Sequence, residues 1–244
     1  MASIPVRLVS GLQASLNLKR AVETGTFEGD GTRELARIFP EVVTIELSEV
    51  NFQRASRHLR AHPNVEMVLG DSGVALGPLL QPQVPTLYFL DGHWSEGPAG
   101  KESQCPVLQE LAALRGGHPD DCIIIDDAAF FLAAPPLPYN PSHWPRLMDV
   151  LDALRAQCPS HHVTLLDNQI IAVPVAAAAV VDAAGQRLAK RGAQLKLGRL
   201  RRRLLGDVLG PLSPTRRRLR HLRRLARDGA DRWSPDRRSA AQLN

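Results

Sequence analysis

Cysteine is scarce in this chain: three of 244 residues, Cys105, Cys122 and Cys158. They show neither CxxC nor metal-ligand spacing, and an odd number cannot form a complete disulfide set. The chain is therefore not a disulfide scaffold, and a reducing cytoplasmic compartment is expected. Long apolar runs are missing too. None reaches the roughly 18 to 20 residues that span a bilayer, and the N-terminus lacks the charged start and apolar stretch of a signal peptide. The nearest candidate, 173–184, is short and alanine-rich, and reads as a helix on the flank of a domain. Aromatic residues make up only 5% of the chain, and there are no internal repeats.

The chain does hold enough apolar residues, 44%, to bury a full core, which fits one domain plus an extension. Charge is divided unevenly along it. Residues 1–185 carry 12 Lys and Arg against 21 Asp and Glu, about −9, whereas residues 186–244 carry 18 against 4, about +14. The net charge of +5 thus conceals an acidic domain, 1–185, and a basic tail, 186–244.

Within the acidic part, β-rich runs alternate with helical segments. Strands are predicted at 20–24, 42–46, 65–70, 86–91 and 122–126, with helices at 31–39, 48–61, 72–80, 105–115 and 142–157. Continuous apolar strands separated by helices indicate a parallel, doubly wound sheet covered on both faces. Val163–Leu166 and Ile170–Val173 flank Asp167-Asn168-Gln169 and read as an antiparallel hairpin that closes the sheet.

The segment Glu23-Thr24-Gly25-Thr26-Phe27-Glu28-Gly29-Asp30-Gly31-Thr32 joins the first strand to the first of these helices. A glycine-rich turn at that place lets a ligand lie against the backbone at a helix N-terminus, and an acid about 20 residues on, here Glu46, can hold ribose hydroxyls. The spacing is Glu-x-Gly-x-x-x-Gly rather than Gly-x-Gly-x-x-Gly. An acid in first place repels a pyrophosphate but suits a cofactor with an amino group and a sulfonium, which points to S-adenosylmethionine (SAM). Glu23, Gly25, Thr26, Gly29, Thr32 and Glu46 are the candidate cofactor residues, joined by Asp71 and Ser72 after the third strand, where adenine would lie. The blander readings are a plain turn, a solvated strand end for Glu46, and a helix N-cap for Asp71.

Glu23 to Gly29 resembles the first motif of metal-dependent O-methyltransferases of the caffeoyl-CoA and catechol types, Glu-x-Gly-Thr-aromatic-x-Gly, and antibiotic-sugar methyltransferases carry a similar triad of acids. Phe89-Leu90-Asp91-Gly92-His93-Trp94-Ser95, Cys105 to Leu111 and Ile125-Asp126-Asp127-Ala128 also resemble uncharacterised bacterial methyltransferase-like proteins. The resemblance covers roughly residues 18–175. It implies a Rossmann-like class I methyltransferase fold and a divalent cation, Mg²⁺ or Ca²⁺, held by Asp91, Asp126 and Asp127. Adjacent carboxylates repel one another, which favours a neutralising cation; the alternative is one cap and one solvated acid.

The reaction implied is transfer of the sulfonium methyl to a hydroxyl oxygen of a small molecule or glycan, with the acceptor aligned and deprotonated. His93 is the candidate base, and equally a residue that orders the loop or binds the acceptor. The catechol-type lysine has no counterpart here, since Lys101 lies too far along, so Asp91 stays open as the base. Loops 92–104 and 128–141, with Trp94, Phe130, Phe131, Tyr139, His143 and Trp144 in or just after them, are expected to build the acceptor pocket. In the tail, Arg201–Arg203 and Arg216–Arg218 interleave with leucines as basic amphipathic helices broken near Gly210-Pro211, and Trp233 is the one aromatic. Such a tail fits an anionic membrane surface, nucleic acid, or a partner's acidic face, this protein's own acidic domain included, and a homo-oligomer stays open; it also fits a solvated or disordered segment. An RNA methyltransferase, and an adaptor that binds cofactor without turnover, are the competing functions.

Overall fold

The computed structural model describes residues 4–93, 103–133 and 135–209. Seven strands form one sheet: β1 (Arg20–Thr24), β2 (Glu41–Glu46), β3 (Val65–Leu69), β4 (Thr86–Leu90), β5 (Cys122–Ile125), β6 (His161–Leu166) and β7 (Gln169–Pro174). Their order is β3-β2-β1-β4-β5-β7-β6. The first five run parallel, and β7 enters antiparallel between β5 and β6. The expected parallel sheet with a closing hairpin is thus present.

Strand side chains alternate between the two faces, and so feed two cores. Val22, Val43, Ile45, Tyr88, Leu90, Ile123 and Ile125 pack on one face, with Leu76 of α4 (Ser72–Leu79), Leu111 of α5 (Val107–Ala113) and Val150 and Leu154 of α7 (Leu147–Gln157). Ala21, Val42, Leu87, Phe89, Ile124, Ile171 and Val173 face the other way, against α1 (Val6–Leu16), Leu35 of α2 (Asp30–Ile38) and the start of α8 (Ala178–Leu209). Every residue of β1, β4 and β5 is buried, as a parallel sheet covered on both faces requires. The two remaining helices are α3 (Glu49–His58) and the single turn α6 (Ala129–Leu132). Helix α1, absent from the sequence reading, buries Leu8, Val9 and Leu12 and ends at Asn17 in the left-handed region.

The β6–β7 turn is made by Asp167 and Asn168, both at positive φ. That is the two-residue geometry whose twist matches a hairpin. The three cysteines are buried and free. The chain divides into two units, Met1–Arg187 and Leu188–Asn244; of the second, the helical backbone is described to Leu209. Trp94, Lys101, the Gly210-Pro211 break, Arg216–Arg218 and Trp233 lie outside the described residues. Among the described residues, no helix is long and apolar enough to cross a membrane.

Candidate active site

The strand order reverses between β1 and β4, which lie side by side with Thr24 level with Leu90. A switch of this kind leaves a crevice beyond the carboxyl ends of the strands, because the following segments diverge to opposite sides. The chain enters it at once: Gly25 follows β1 and Asp91 follows β4. Gly25 sits at φ +82°, and a Cβ there would fall inside van der Waals contact of the Asp91 carbonyl oxygen. Only glycine allows both the left-handed turn and this approach. Gly29, at φ +83°, is the N-cap of α2.

The other cofactor candidates divide into an inner and an outer set. Glu23 is buried: its Oε2 accepts hydrogen bonds from Thr32 Oγ1 and, at 2.7 Å, from Thr44 Oγ1. Thr26 Oγ1 lies 2.7 Å from Thr44 Oγ1 in the same network. Burial pushes the Glu23 carboxyl up to about 7, against the opposing pull of the two hydroxyls. This acid therefore faces α2 and β2 and holds the turn together, rather than projecting from the strand tip. Glu46 does reach the turn, accepting from Phe27 N at 2.7 Å through Oε2 and from Ser48 N at 2.8 Å through Oε1. Asp71 caps α4 through Gly73 N at 2.8 Å, the blander of its two readings.

Ser72 brings in an acid that the sequence did not reveal. Its Oγ donates to Glu110 Oε1 at 2.6 Å. Glu110, on α5, is 1% exposed, and burial pushes it up to about 7 against the opposing pull of the Ser72 hydroxyl.

At the tips of β4 and β5 the structure gathers Asp91, His93 and Asp127. His93 Nδ1 lies 3.0 Å from Asp91 Oδ1, and Nε2 lies 2.9 Å from Asp127 Oδ2. One ligand atom from each of the three falls within 4.8 Å of the others. Asp126 is not in that group; its Oδ1 accepts from Gln169 Nε2 at 3.1 Å, and burial, then the Asp91 charge, raise its carboxyl. Asp127 leaves the strand at φ +53°, and its side chain meets His93 where that of Asp126 meets Gln169. Asp127 is braced by Asn168 Nδ2, which donates to its Oδ1 at 2.9 Å, and the His93 hydrogen bond holds its carboxyl below the usual value.

Burial disfavours a charged His93, but the hydrogen bonds and charges of Asp127 and Asp91 prevail and raise it to about 10. A neutral imidazole has one N–H and cannot donate to both carboxylates; the imidazolium can. In this arrangement His93 is held between two acids, with one ring nitrogen on each. Edge-on aromatic contacts enclose it, with Trp144 at 5.5 Å and Phe130 at 6.1 Å between ring centroids. Tyr139 packs on both of those rings, and Phe131 on Trp144. His143 is placed outside this group, beside the Asn140 amide at 3.1 Å.

No protein-family profile matches the sequence, and no curated protein matches it either. Solved structures do. One from Staphylococcus aureus, assigned as a caffeoyl-CoA O-methyltransferase, is 17% identical, with 71% of this chain and 84% of that one covered and a TM-score of 0.53. The O-methyltransferase from Bacillus cereus, solved with SAH (S-adenosylhomocysteine), is 20% identical over 71% and 82% of the two chains, with a TM-score of 0.52. At such identities the likeness is one of fold, and it agrees with the strand order and the position of the crevice. The chain has the Rossmann-like class I methyltransferase fold, and within it resembles O-methyltransferases.

Proposed function

We propose that this chain is a SAM-dependent methyltransferase that methylates a hydroxyl oxygen of a small molecule or glycan with the help of a divalent cation. The observation that carries the reading is convergence at one switch point: the Gly25 turn and Glu46 on one side, and Asp91, His93 and Asp127 on the other. Ligands of doubly wound sheets bind at that place. Glu46 would hold the ribose, the Gly25–Gly29 turn would pass under the methionine part, and Ser72 would border the adenine.

Two carboxylates and an imidazole suit a divalent cation, so Asp91, His93 and Asp127 would hold it, and Asp126 would not. Such a cation, when bound, orients an acceptor hydroxyl and lowers its pKa. Methyl transfer then needs an in-line approach of the hydroxyl oxygen to the sulfonium methyl and a place for the hydroxyl proton. A cation held there would take the lone pair of a His93 ring nitrogen, so His93 would not serve as base and the acceptor proton would go to a carboxylate. Asp91 is the one beside the Gly25 turn, where the cofactor methyl would lie. Phe130, Tyr139 and Trp144 supply apolar ring faces and edges for the body of the acceptor and keep water from the proton transfer.

Calorimetric titration of the full chain with SAM and with SAH tests the reading. Saturable one-to-one binding of both is expected. The absence of heat at any cofactor concentration would overturn it.

A further inference from the structure

We propose that Gln104 is a positioning residue for the acceptor pocket: its side-chain oxygen pins the segment that carries Tyr139 and Trp144, and so holds the Trp144 ring against His93. The inference deepens the methyltransferase reading, on which the pocket's role rests, and concerns a residue that reading leaves unused.

Gln104 lies just ahead of α5 and is 4% exposed. Its Oε1 accepts from Asn140 N at 2.7 Å and from Trp144 Nε1 at 3.3 Å. A backbone amide and an indole N–H can only donate, so only an acceptor oxygen can meet both. The two contacts reach across 36 and 40 residues. Within the segment itself, Tyr139 N, His143 N and Trp144 N bond to the carbonyls of Pro136, Asn140 and Pro141, which shapes the segment without attaching it to the domain. Gln104 supplies an attachment. Its own place is fixed, since Cys105 and Val107 beside it are buried in the same core as Phe131 and Trp144.

Trp144 is the hub of the aromatic group. Its ring centroid lies 5.0 Å from that of Phe130, 5.5 Å from His93, 5.7 Å from Tyr139 and 6.3 Å from Phe131. Packing alone leaves such a ring several ways to lie, because apolar burial has no preferred direction. A hydrogen bond has a preferred length and angle, so the Gln104 oxygen sets which edge of the indole meets His93. Without that oxygen the Trp144 donor is stranded in the core and the Asn140 amide loses its partner, a cost the segment escapes only by lifting toward water. The ring then leaves His93. A shift of about 1 Å in an aligning group can cost on the order of a hundredfold in rate, so a pin of this kind bears directly on transfer to the acceptor.

The test is nuclear magnetic resonance of the full chain, isotope-labelled in tryptophan and histidine, for wild type, Gln104→Leu and Gln104→Glu. Trp144→Phe and His93→Gln serve to assign the two sets of signals. In Gln104→Leu, which has no acceptor, the Trp144 indole proton should exchange with solvent about three- to tenfold faster than in wild type, the worth of one hydrogen bond. The His93 ring signals should shift with it. Gln104→Glu keeps an oxygen for both donors and should restore the wild-type exchange and the wild-type His93 signals. A merely structural role would lower the melting temperature and leave His93 where it was. His93 signals unmoved in Gln104→Leu, or displaced alike in Gln104→Glu, overturn the inference. Should Gln104→Leu not fold, wild type and Gln104→Glu carry the test: their signals should coincide, and a wild-type Trp144 proton that exchanges as fast as an exposed indole overturns it. SAH affinity of the same proteins by calorimetry should agree to within about twofold; a larger change would place the effect on the cofactor and overturn the assignment to the acceptor side. Failure of wild type to bind SAH overturns the methyltransferase reading and with it the pocket's role, whatever the spectra show.

Discussion

Replacing Glu23 with glutamine separates the packing role of that side chain from the cost of its charge. The carboxyl is 1% exposed, and burial raises it from 4.5 to about 7 although Thr32 and Thr44 donate to it. A group that binds its proton more tightly in the folded chain than in the unfolded one stabilises the fold below its unfolded pKa, and loses that contribution as pH rises through the folded value. For Glu23 the window runs from 4.5 to about 7. At about 1.4 kcal/mol per pH unit, the wild type loses roughly 2–3 kcal/mol between pH 5 and pH 8 from this group alone. Glutamine keeps an oxygen for the two hydroxyls and does not ionise. Urea unfolding of wild type and Glu23→Gln at both pH values measures the effect. Glu110 and Asp121, also raised by burial to about 7 and about 6, are present in both proteins and cancel. The variant should gain roughly 2–3 kcal/mol on wild type between pH 5 and pH 8. A stability difference that stays constant to within about 0.5 kcal/mol would show that Glu23 does not change charge in this range, and would refute the reasoning.

Gly25→Ala should destabilise the fold by about 2 kcal/mol or more, since it adds left-handed strain to a clash with the Asp91 carbonyl; an unchanged melting temperature would contradict the close approach. Glu46→Ala should weaken SAH binding about tenfold or more, the worth of a charge-assisted contact, and should also lower the melting temperature, because the Phe27 and Ser48 amides lose their acceptor. Asp127→Asn should abolish any rise in melting temperature caused by Mg²⁺ or Mn²⁺, and Asp126→Asn should preserve it; loss of the rise in both variants would restore the sequence-derived trio of acids as the ligand set.

The sheet was legible in the chain because its strands are short β-branched runs with no helical period, and the Asp167-Asn168 turn announces itself by residue type. Helix α1 was missed because nothing in Val6–Leu16 marks its start: the N-cap is Pro5, with no side-chain cap and no acid in the first turn. The Gly25 turn and Glu46 were legible from a local motif and a fixed spacing. Glu23 was located by that motif, but its direction depends on Thr44 of the neighbouring strand, a contact across 21 residues. Glu110 left no signal, because its partner is the Ser72 hydroxyl, which only the fold brings to it. Asp126 and Asp127 look equivalent on paper. The reversal of φ between them separates them, and His93 takes the place by Asp91 that the second acid was expected to fill.

The brace from Asn168 to Asp127 gives the two halves of the crevice different supports. The Gly25 turn and Glu46 belong to β1, β2 and the segment between them, all within the first 46 residues. Asp127 receives its orientation from a hairpin tip 41 residues further on, and Asn168 O and Oδ1 also accept from the Ala128 and Ala129 amides. Substitutions at the β6–β7 tip can therefore reset the direction of Asp127 while the contacts of the Gly25 turn and Glu46 stay as they were.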